Sequence, residues 1–533
     1  MIASMLNDTT GTPINDTNAA PLNDTTAAPL IETTTKPAPK SRWYRLLHWE
    51  HFWLAVIVAV TLIFHFVAIV RPPTIVWDEV WYVGDSRSII SGTGDLRPEH
   101  PPLAKLYIVI GSYIFNGFQK PEQDTGAMLT VNINNANEDT VVPVSSTAGF
   151  KAGQTIRIQQ EQMDVISIDQ EHSQITVKRG AGGSSITYHA EQSSIYVYTD
   201  NAFGWRFFSV IFGTLGIIVF YLICRRLKFS WKGTMIATFL FALEDMTFLH
   251  SGLALLDVFM VTFMLIAVLM YLDKRYILSA IFVALSANCK LFGVLILIAI
   301  FLHWAIYRRD EWKVFFASMF VAAVAFVFFL VFFDIFIKGG IENPITRIQS
   351  LLTSTAANQF TNPKLSISSR PWTWLYPQWL MPYYNSPNVP FIAYSYDPQY
   401  ISFISSTIQL LIVPTVGYLI YKAIKKSETA GLLLLWFFAT YVIWIPLDIV
   451  TNRVTFVFYF LSTTPVICMG IAMGLSDALD FMKARREKLG RLTNGIKISY
   501  GVIAFYLLLH LAIFIFFNPA IPSVIQAWLN SLA

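Results

Sequence analysis

The sequence predicts an all-α polytopic membrane protein of about 11 transmembrane helices, with a small β module inserted on the extracytoplasmic side. Three observations predict it. Of 533 residues, 54% are hydrophobic and only 14% charged, against about 25% charged in a soluble domain, so the surface cannot face water all round. Apolar runs of about 18 residues or more recur along most of the chain, each long enough to cross a bilayer's hydrocarbon core. Basic residues, finally, gather in alternate connections between those runs. The mean hydropathy is +0.51; the net charge is only +4, and no nucleic acid is expected among the partners.

Residues 1–42 come first and are low in complexity: Asn-Asp-Thr recurs at Asn7, Asn15 and Asn23, with Ala, Pro and Thr between. Such a stretch buries too little apolar surface to offset its ordering entropy, so a disordered tail is expected. The triplets match the N-glycosylation pattern, which would place the tail outside. Lys36, Lys40, Arg42 and Arg45 precede the first span and place it inside, and the charge rule outweighs a three-residue sequon. The first apolar run starts only near His51, is long and lacks a small-residue cleavage pattern, so it reads as a retained span rather than a signal peptide.

Candidate spans lie at 51–70, 204–224, 233–249, 254–272, 276–289, 291–307, 313–336, 400–422, 429–447, 454–475 and 498–517. With the N-terminus cytoplasmic, the cytoplasmic connections are Arg225-Arg226-Leu227-Lys228, Asp273-Lys274-Arg275, Arg308-Arg309, Lys422 through Lys426 and Lys483 through Arg491, all basic. The chain then divides into the first span with an outer loop and surface helix (43–118), the β module (119–200), helices two to seven (201–337), an outer aromatic-rich loop (338–399), helices eight to eleven (400–520) and a C-terminal tail (521–533). Residues 101–118 are moderately apolar but carry Lys105 and open on Pro101-Pro102; as a span they would invert every later basic loop, so an amphipathic surface helix is expected. Thr155 to Ile158, Met163 to Ile168 and Ile175 to Lys178 alternate apolar and polar and end at Gly180, Gly182 and Gly183, which predicts short strands. Cys224, Cys289 and Cys468 all fall in apolar runs, so no disulfide framework is expected.

The chemistry-bearing residues follow the first span: Trp77-Asp78-Glu79-Val80-Trp81-Tyr82, then Glu99-His100-Pro101-Pro102-Leu103-Ala104-Lys105. Adjacent carboxylates hemmed by aromatics at a membrane surface are costly to desolvate without a task or a partner. One could take the proton of an acceptor hydroxyl attacking a sugar's anomeric carbon; the bland reading is a solvated acidic loop. Arg206, Lys290 and Arg453 sit on the expected outer face, against the inside bias, and are candidates for holding a leaving phosphate; singly, each also reads as a snorkelling side chain. Asp257, at the outer start of the fourth span, and His100 and Lys105 are candidate supporting residues. Pro371-Trp372-Thr373-Trp374-Leu375-Tyr376 and Tyr383-Tyr384 either bind sugar or form an aromatic belt. No second His accompanies His100 at metal-ligand spacing, so no metal site is assigned; an Asp-Glu pair admits a divalent cation, but attack by a base-activated hydroxyl needs none.

At Asp78-Glu79 and His100-Pro101-Pro102-Leu103-Ala104-Lys105 the sequence resembles the protein O-mannosyltransferase family of the GT-C glycosyltransferases. Gly204-Trp205-Arg206-Phe207-Phe208-Ser209, Leu255-Leu256-Asp257, Lys290-Leu291-Phe292-Gly293 and Arg370-Pro371-Trp372 resemble later blocks, so the likeness runs from about 43 to 480. The resemblance implies a dolichyl-phosphate-linked mannose donor, inversion at the anomeric carbon, and Ser or Thr of exported proteins as acceptor. It implies that Asp78 is the base or an orienting carboxylate with Glu79 beside it, and that Arg206 and Lys290 hold donor phosphate. It leans towards no metal and admits a dimer. Gly252 stands where the family has a basic residue, the eukaryotic lumenal repeat domain is missing from 338–399, and the β module is extra; together these suggest a prokaryotic, archaeal type. Transfer to a lipid or surface glycan is the enzymatic alternative, and a transporter or flippase the alternative of another class. Oligosaccharyl transfer is disfavoured because no Trp-Trp-Asp-Tyr-Gly motif occurs.

Overall fold

The structure, a computed structural model, describes residues 50–135, 140–181, 184–356, 368–376, 381–384, 400–489 and 493–518. The expected disordered tail and the C-terminal tail at 521–533 lie outside the described residues.

The chain is mostly helical, as its hydropathy requires. Glu50–Ala68 (α1) is the first long apolar helix, and Glu79–Ser91 (α2) and Leu103–Phe115 (α3) follow it. After the sheet come Ala202–Arg226 (α4), Trp231–Ala242 (α5), Asp245–Gly252 (α6), Asp257–Leu272 (α7), Tyr276–Cys289 (α8), Leu295–His303 (α9), Trp312–Lys338 (α10) and Pro344–Ala356 (α11). Ser406–Gln409 (α12), Ile412–Ile424 (α13), Glu428–Phe437 (α14), Trp444–Thr451 (α15), Thr464–Leu489 (α16) and Thr493–Phe517 (α17) complete the helices.

Among the described residues, seven helical stretches are long and apolar enough to cross a membrane, and an eighth exists if α6 and α7, bent by 112°, count as one span. The expected count of eleven is not confirmed. One expected span is short: Tyr276–Cys289 is apolar but has 14 residues, about 21 Å of helix against a hydrocarbon core of about 30 Å. Two expected spans also begin differently. Residues 400–402 form a strand rather than a helix end, and the helix expected at 454 starts only at Thr464, after a 3-10 turn at Val457–Ser462. Cys224, Cys289 and Cys468 are buried and free.

The expected surface helix is α3, and glycine seats it tightly. A Cβ on Gly111 would stand 2.3 Å from the carbonyl oxygen of Gly204 on α4. Gly111→Leu should force the two helices apart, at about 1–3 kcal/mol as for other overpacked sites; a thermal unfolding midpoint unchanged from wild type in detergent would contradict this.

The β module is a six-stranded antiparallel sheet in the order β1-β6-β3-β4-β5-β2. Its strands are Glu122–Met128 (β1), Val141–Pro143 (β2), Thr155–Ile158 (β3), Glu161–Asp169 (β4), Gln174–Ala181 (β5) and Ser194–Tyr198 (β6). Alternation puts Ile156, Ile158, Met163, Val165, Ile175, Val177 and Ile195 into a core separate from that of the helices. One charge is locked inside: Glu161 accepts from Arg179 Nε at 2.7 Å and Nη2 at 2.8 Å, from the Thr187 N–H at 2.9 Å, and meets His189 Nε2 at 2.8 Å. Burial alone would raise this carboxyl, but the hydrogen bonds from Arg179, Thr187 and His189 outweigh it and hold the pKa at about 2. A depressed folded pKa contributes stability above the unfolded value of about 4.3, lost as pH falls towards 2. Glu161→Gln should therefore flatten the module's acid unfolding between those limits; unchanged acid sensitivity by circular dichroism would contradict this.

The module is tied to the loop after α1. Arg87 of α2 donates through Nε to both Asp200 oxygens at 3.1 and 3.0 Å and lies 3.8 Å over the Tyr198 ring. Gly153, at φ +83°, lies so close to Pro73 that a Cβ there would stand 3.2 Å from the proline ring.

Candidate active site

The site starts with a backbone conformation. Trp77 sits at φ +49°, a left-handed setting that costs a bulky L-residue free energy and persists only where the surroundings enforce it. The reversal at Trp77 delivers the next two carboxylates to different places. Asp78 caps the start of α2 without a side-chain cap bond, while Glu79 turns into the helical core and is fully buried.

Glu79 is saturated there. Its Oε1 accepts from Arg206 Nε at 2.7 Å and the Ala254 N–H at 2.9 Å; its Oε2 accepts from Arg206 Nη2 at 2.7 Å and the Val76 N–H at 2.9 Å. Arg206 spends its other N–H groups on the carbonyls of Ile69 and Pro72, both 2.9 Å, and of Thr74 at 3.1 Å. All five guanidinium donors are thus engaged. This joins α1, α2, α4 and the turn before α7, and leaves Arg206 no free donor for a phosphate.

Asp78 faces another environment. It lines a cavity of about 480 Å³ together with Trp77, Trp81, Tyr82, Arg97, Glu99, His100, Lys290, Phe292, Ser354, Arg453, Phe458 and Tyr459. Its half-buried carboxylate makes no hydrogen bond or ion pair among the described residues. Burial raises its pKa to about 6, with Lys290 and Arg97 pulling down and Asp257 pushing up. Lys290 Nζ bonds the Asp257 oxygens at 2.8 and 3.0 Å, and its charge lies 4.9 Å from the Phe458 ring centre. Arg453 lies 4.9 Å over Phe292, and its buried Nε has no hydrogen-bond partner among the described residues. His100 packs edge-on against Tyr82 with ring centres 5.8 Å apart. Burial and then Lys290, Lys105, Arg453 and Arg97 push its pKa well below the usual range, so it is neutral.

The structure therefore brings Asp78, His100, Lys290 and Arg453 to one cavity with Asp257 behind Lys290, and keeps Glu79, Arg206 and Lys105 out of it. Lys105 is buried between Asp85 at 2.9 Å and Asp95 at 2.7 Å and also donates to the Arg97 carbonyl. It fastens α2, the following loop and α3.

Three residues had no signal in the sequence patterns. Arg347 of α11 is buried, pairs with Asp334 at 2.8 Å and donates to the carbonyls of Pro98 and His100, bracing the His-Pro-Pro turn. Arg97 stacks 3.6 Å over Trp81 at the cavity wall. His250 of α6 stands 3.8 Å from Asp257 through Nδ1 and 2.9 Å from the Tyr383 hydroxyl through Nε2. Among the described residues no group of three or more His, Cys, Asp or Glu is placed to hold a metal ion.

Comparison with known proteins bears on this arrangement. The sequence model of the dolichyl-phosphate-mannose-protein mannosyltransferase family matches residues 172–343, which include Arg206, Asp257 and Lys290. The match covers 172 of the chain's 533 residues. The fold of this chain is shared with the S. cerevisiae protein O-mannosyltransferase Pmt1-Pmt2 complex bound to the sugar donor. The TM-score is 0.55 at 12% identity, over 89% of this chain and 90% of that one. Weaker likenesses are to the oligosaccharyltransferase AglB of Archaeoglobus fulgidus (TM-score 0.44, 12% identity, 89% of this chain and 56% of that one) and to ArnT of Cupriavidus metallidurans (0.43, 12%, 88% and 76%). No curated protein matches the sequence. The long apolar helices make this chain an integral membrane protein.

Proposed function

We propose that this protein is a mannosyltransferase that moves mannose from a dolichyl-type phosphate carrier to Ser or Thr hydroxyls of exported proteins, inverting the anomeric configuration, with Asp78 as the general base. The observation that carries this reading is one cavity lined by Asp78, a carboxylate with no hydrogen bond or ion pair among the described residues, and by the cations Arg97, Lys290 and Arg453, the last with a buried Nε that has no partner among the described residues.

The acceptor oxygen attacks the anomeric carbon while its proton passes to Asp78. The bond from that carbon to the phosphate oxygen breaks, and its electron pair leaves with the polyprenyl phosphate. Arg453 and Lys290 hold the charge that grows on this leaving group. Neutral His100 serves as a hydrogen-bond partner for sugar hydroxyls, and Asp257 orients Lys290. Glu79, Arg206 and Lys105 act on the substrate only through the frame they hold. The basic connections support a cavity and a β module outside the cytoplasm, where exported acceptors are found.

The test uses membranes carrying the protein, labelled polyprenyl-phosphate mannose and a Ser/Thr-rich peptide. Label on the peptide, with the configuration opposite to the donor's, supports the reading; label running with glycolipid instead would move the acceptor to a lipid or surface glycan. Arg453→Met should raise the donor KM about tenfold or more, the scale of one lost charge-assisted hydrogen bond; an unchanged KM would remove Arg453 from the phosphate site. Because the base must be ionised, kcat/KM should fall about tenfold per pH unit below the Asp78 pKa of about 6 and level off above it. A rate flat from pH 7 to pH 4.5 would contradict Asp78 as the titrating base.

A further inference from the structure

Trp77 carries a conformation it would not hold alone. At φ +49° its backbone would relax towards the ordinary regions unless something holds the side chain. That something comes from far along the chain. Met381–Tyr384 (β7) pairs antiparallel with Tyr400–Ser402 (β8), and Tyr383 of this hairpin lies flat on the Trp77 indole, ring centres 5.3 Å apart and planes within 4°. The Tyr383 ring is itself fixed: it is buried, and its hydroxyl meets His250 Nε2 at 2.9 Å. The same His250 leads through Asp257 to Lys290 on the cavity wall. The stem of β8 is anchored to the loop before Trp77, since the Tyr400 hydroxyl donates to the Arg71 carbonyl.

We infer that Tyr383 is a positioning residue: by stacking on Trp77 it enforces the left-handed turn that separates Asp78 from Glu79 and aims Asp78 into the cavity. The inference rests on Asp78 being the base. It gives the β7–β8 hairpin a task distinct from sugar binding, because Tyr383 is not part of the cavity lining. Released from the stack, Trp77 would relax, and Asp78 would lose both its aim and its buried setting. The stacking face matters more than the hydroxyl, which only steadies the ring.

The experiment compares wild type, Tyr383→Leu, Tyr383→Phe and Asp78→Asn in the transfer assay over a pH series. The expected result is a kcat lowered about 10- to 100-fold in Tyr383→Leu, the scale of a misplaced reacting group, with donor KM within about threefold. The acid limb in this variant should move below pH 6 as Asp78 regains water. Tyr383→Phe keeps the face and should restore most of the rate. A merely structural residue would lower the amount of active enzyme without moving the acid limb. If Tyr383→Leu fails to fold, Tyr383→Gln, of similar length and without an aromatic face, replaces it. Wild-type kcat and acid limb in these variants, or a Tyr383→Phe as impaired as Tyr383→Leu, would overturn the inference while Asp78→Asn stays inactive. An active Asp78→Asn would instead overturn the base assignment beneath it.

Discussion

Asp78→Asn should lose transfer by about 10²–10⁴-fold, the range a positioned general base contributes, while the protein inserts and unfolds like wild type. The combination is informative because Asp78 makes no hydrogen bond or ion pair among the described residues. Among the described residues no hydrogen bond or ion pair depends on its charge, and Asn keeps its shape. The carboxylate's only described liability is its burial, which raises its pKa to about 6, so neutralising it should leave the thermal midpoint equal or slightly higher. Glu79→Gln, one residue on, should do the reverse. It removes the charge that opposes Arg206 and turns one acceptor of its four bonds into a donor. Retained transfer in Asp78→Asn would refute the base; a wild-type midpoint in Glu79→Gln would refute the clamp.

Arg206→Met should be the most destabilising of single substitutions in the helical core, by about 3–5 kcal/mol, as when one partner of a buried pair is removed. It leaves Glu79 charged in a fully buried setting and strips donors from three carbonyls of the loop that leads to Trp77. The expected outcome is a low yield of folded protein and a thermal midpoint lowered by several degrees or more in detergent. The alternative role, suggested by the residue's position in the family pattern, makes a different forecast: a phosphate ligand would give a stable Arg206→Met with a raised donor KM. Unfolding midpoints and donor KM for Arg206→Met and Arg453→Met, side by side, separate the two roles. A stable Arg206→Met with a raised KM would return Arg206 to the phosphate site and refute the clamp.

Much of the architecture was legible because it depends on local properties. The membrane class follows from hydropathy, and the strands at 155–158, 161–169 and 174–181 follow from a period of two that no helix would share. The span count was less legible, because composition reports that a segment is apolar and not how far it runs as helix. Tyr276–Cys289 and the stretch from 400 show this: one is a helix of only 14 residues, and the other begins as a strand paired with β7. The Asp-Glu motif and the cavity cations Lys290 and Arg453 were visible as residues out of place by charge. Arg347 and His250 were not, since a lone basic residue on a short helix has no pattern until its partners are known.

Hydropathy and a period of two in the sequence establish a membrane protein carrying a β module, and charge placement singles out the handful of residues that need an explanation. Only the tertiary structure decided which explanation each receives. Asp78 and Glu79 are chemically alike and adjacent, yet one lines a cavity without a hydrogen bond or ion pair among the described residues and the other is bound by an arginine 127 residues later. Arg206 and Arg453 are alike in charge and expected depth, yet one has every donor engaged and the other keeps a buried Nε unpaired among the described residues. The physical reason is that burying a charge costs the same wherever it lies in sequence, while what offsets that cost comes from whichever distant segments the fold brings within 3 Å.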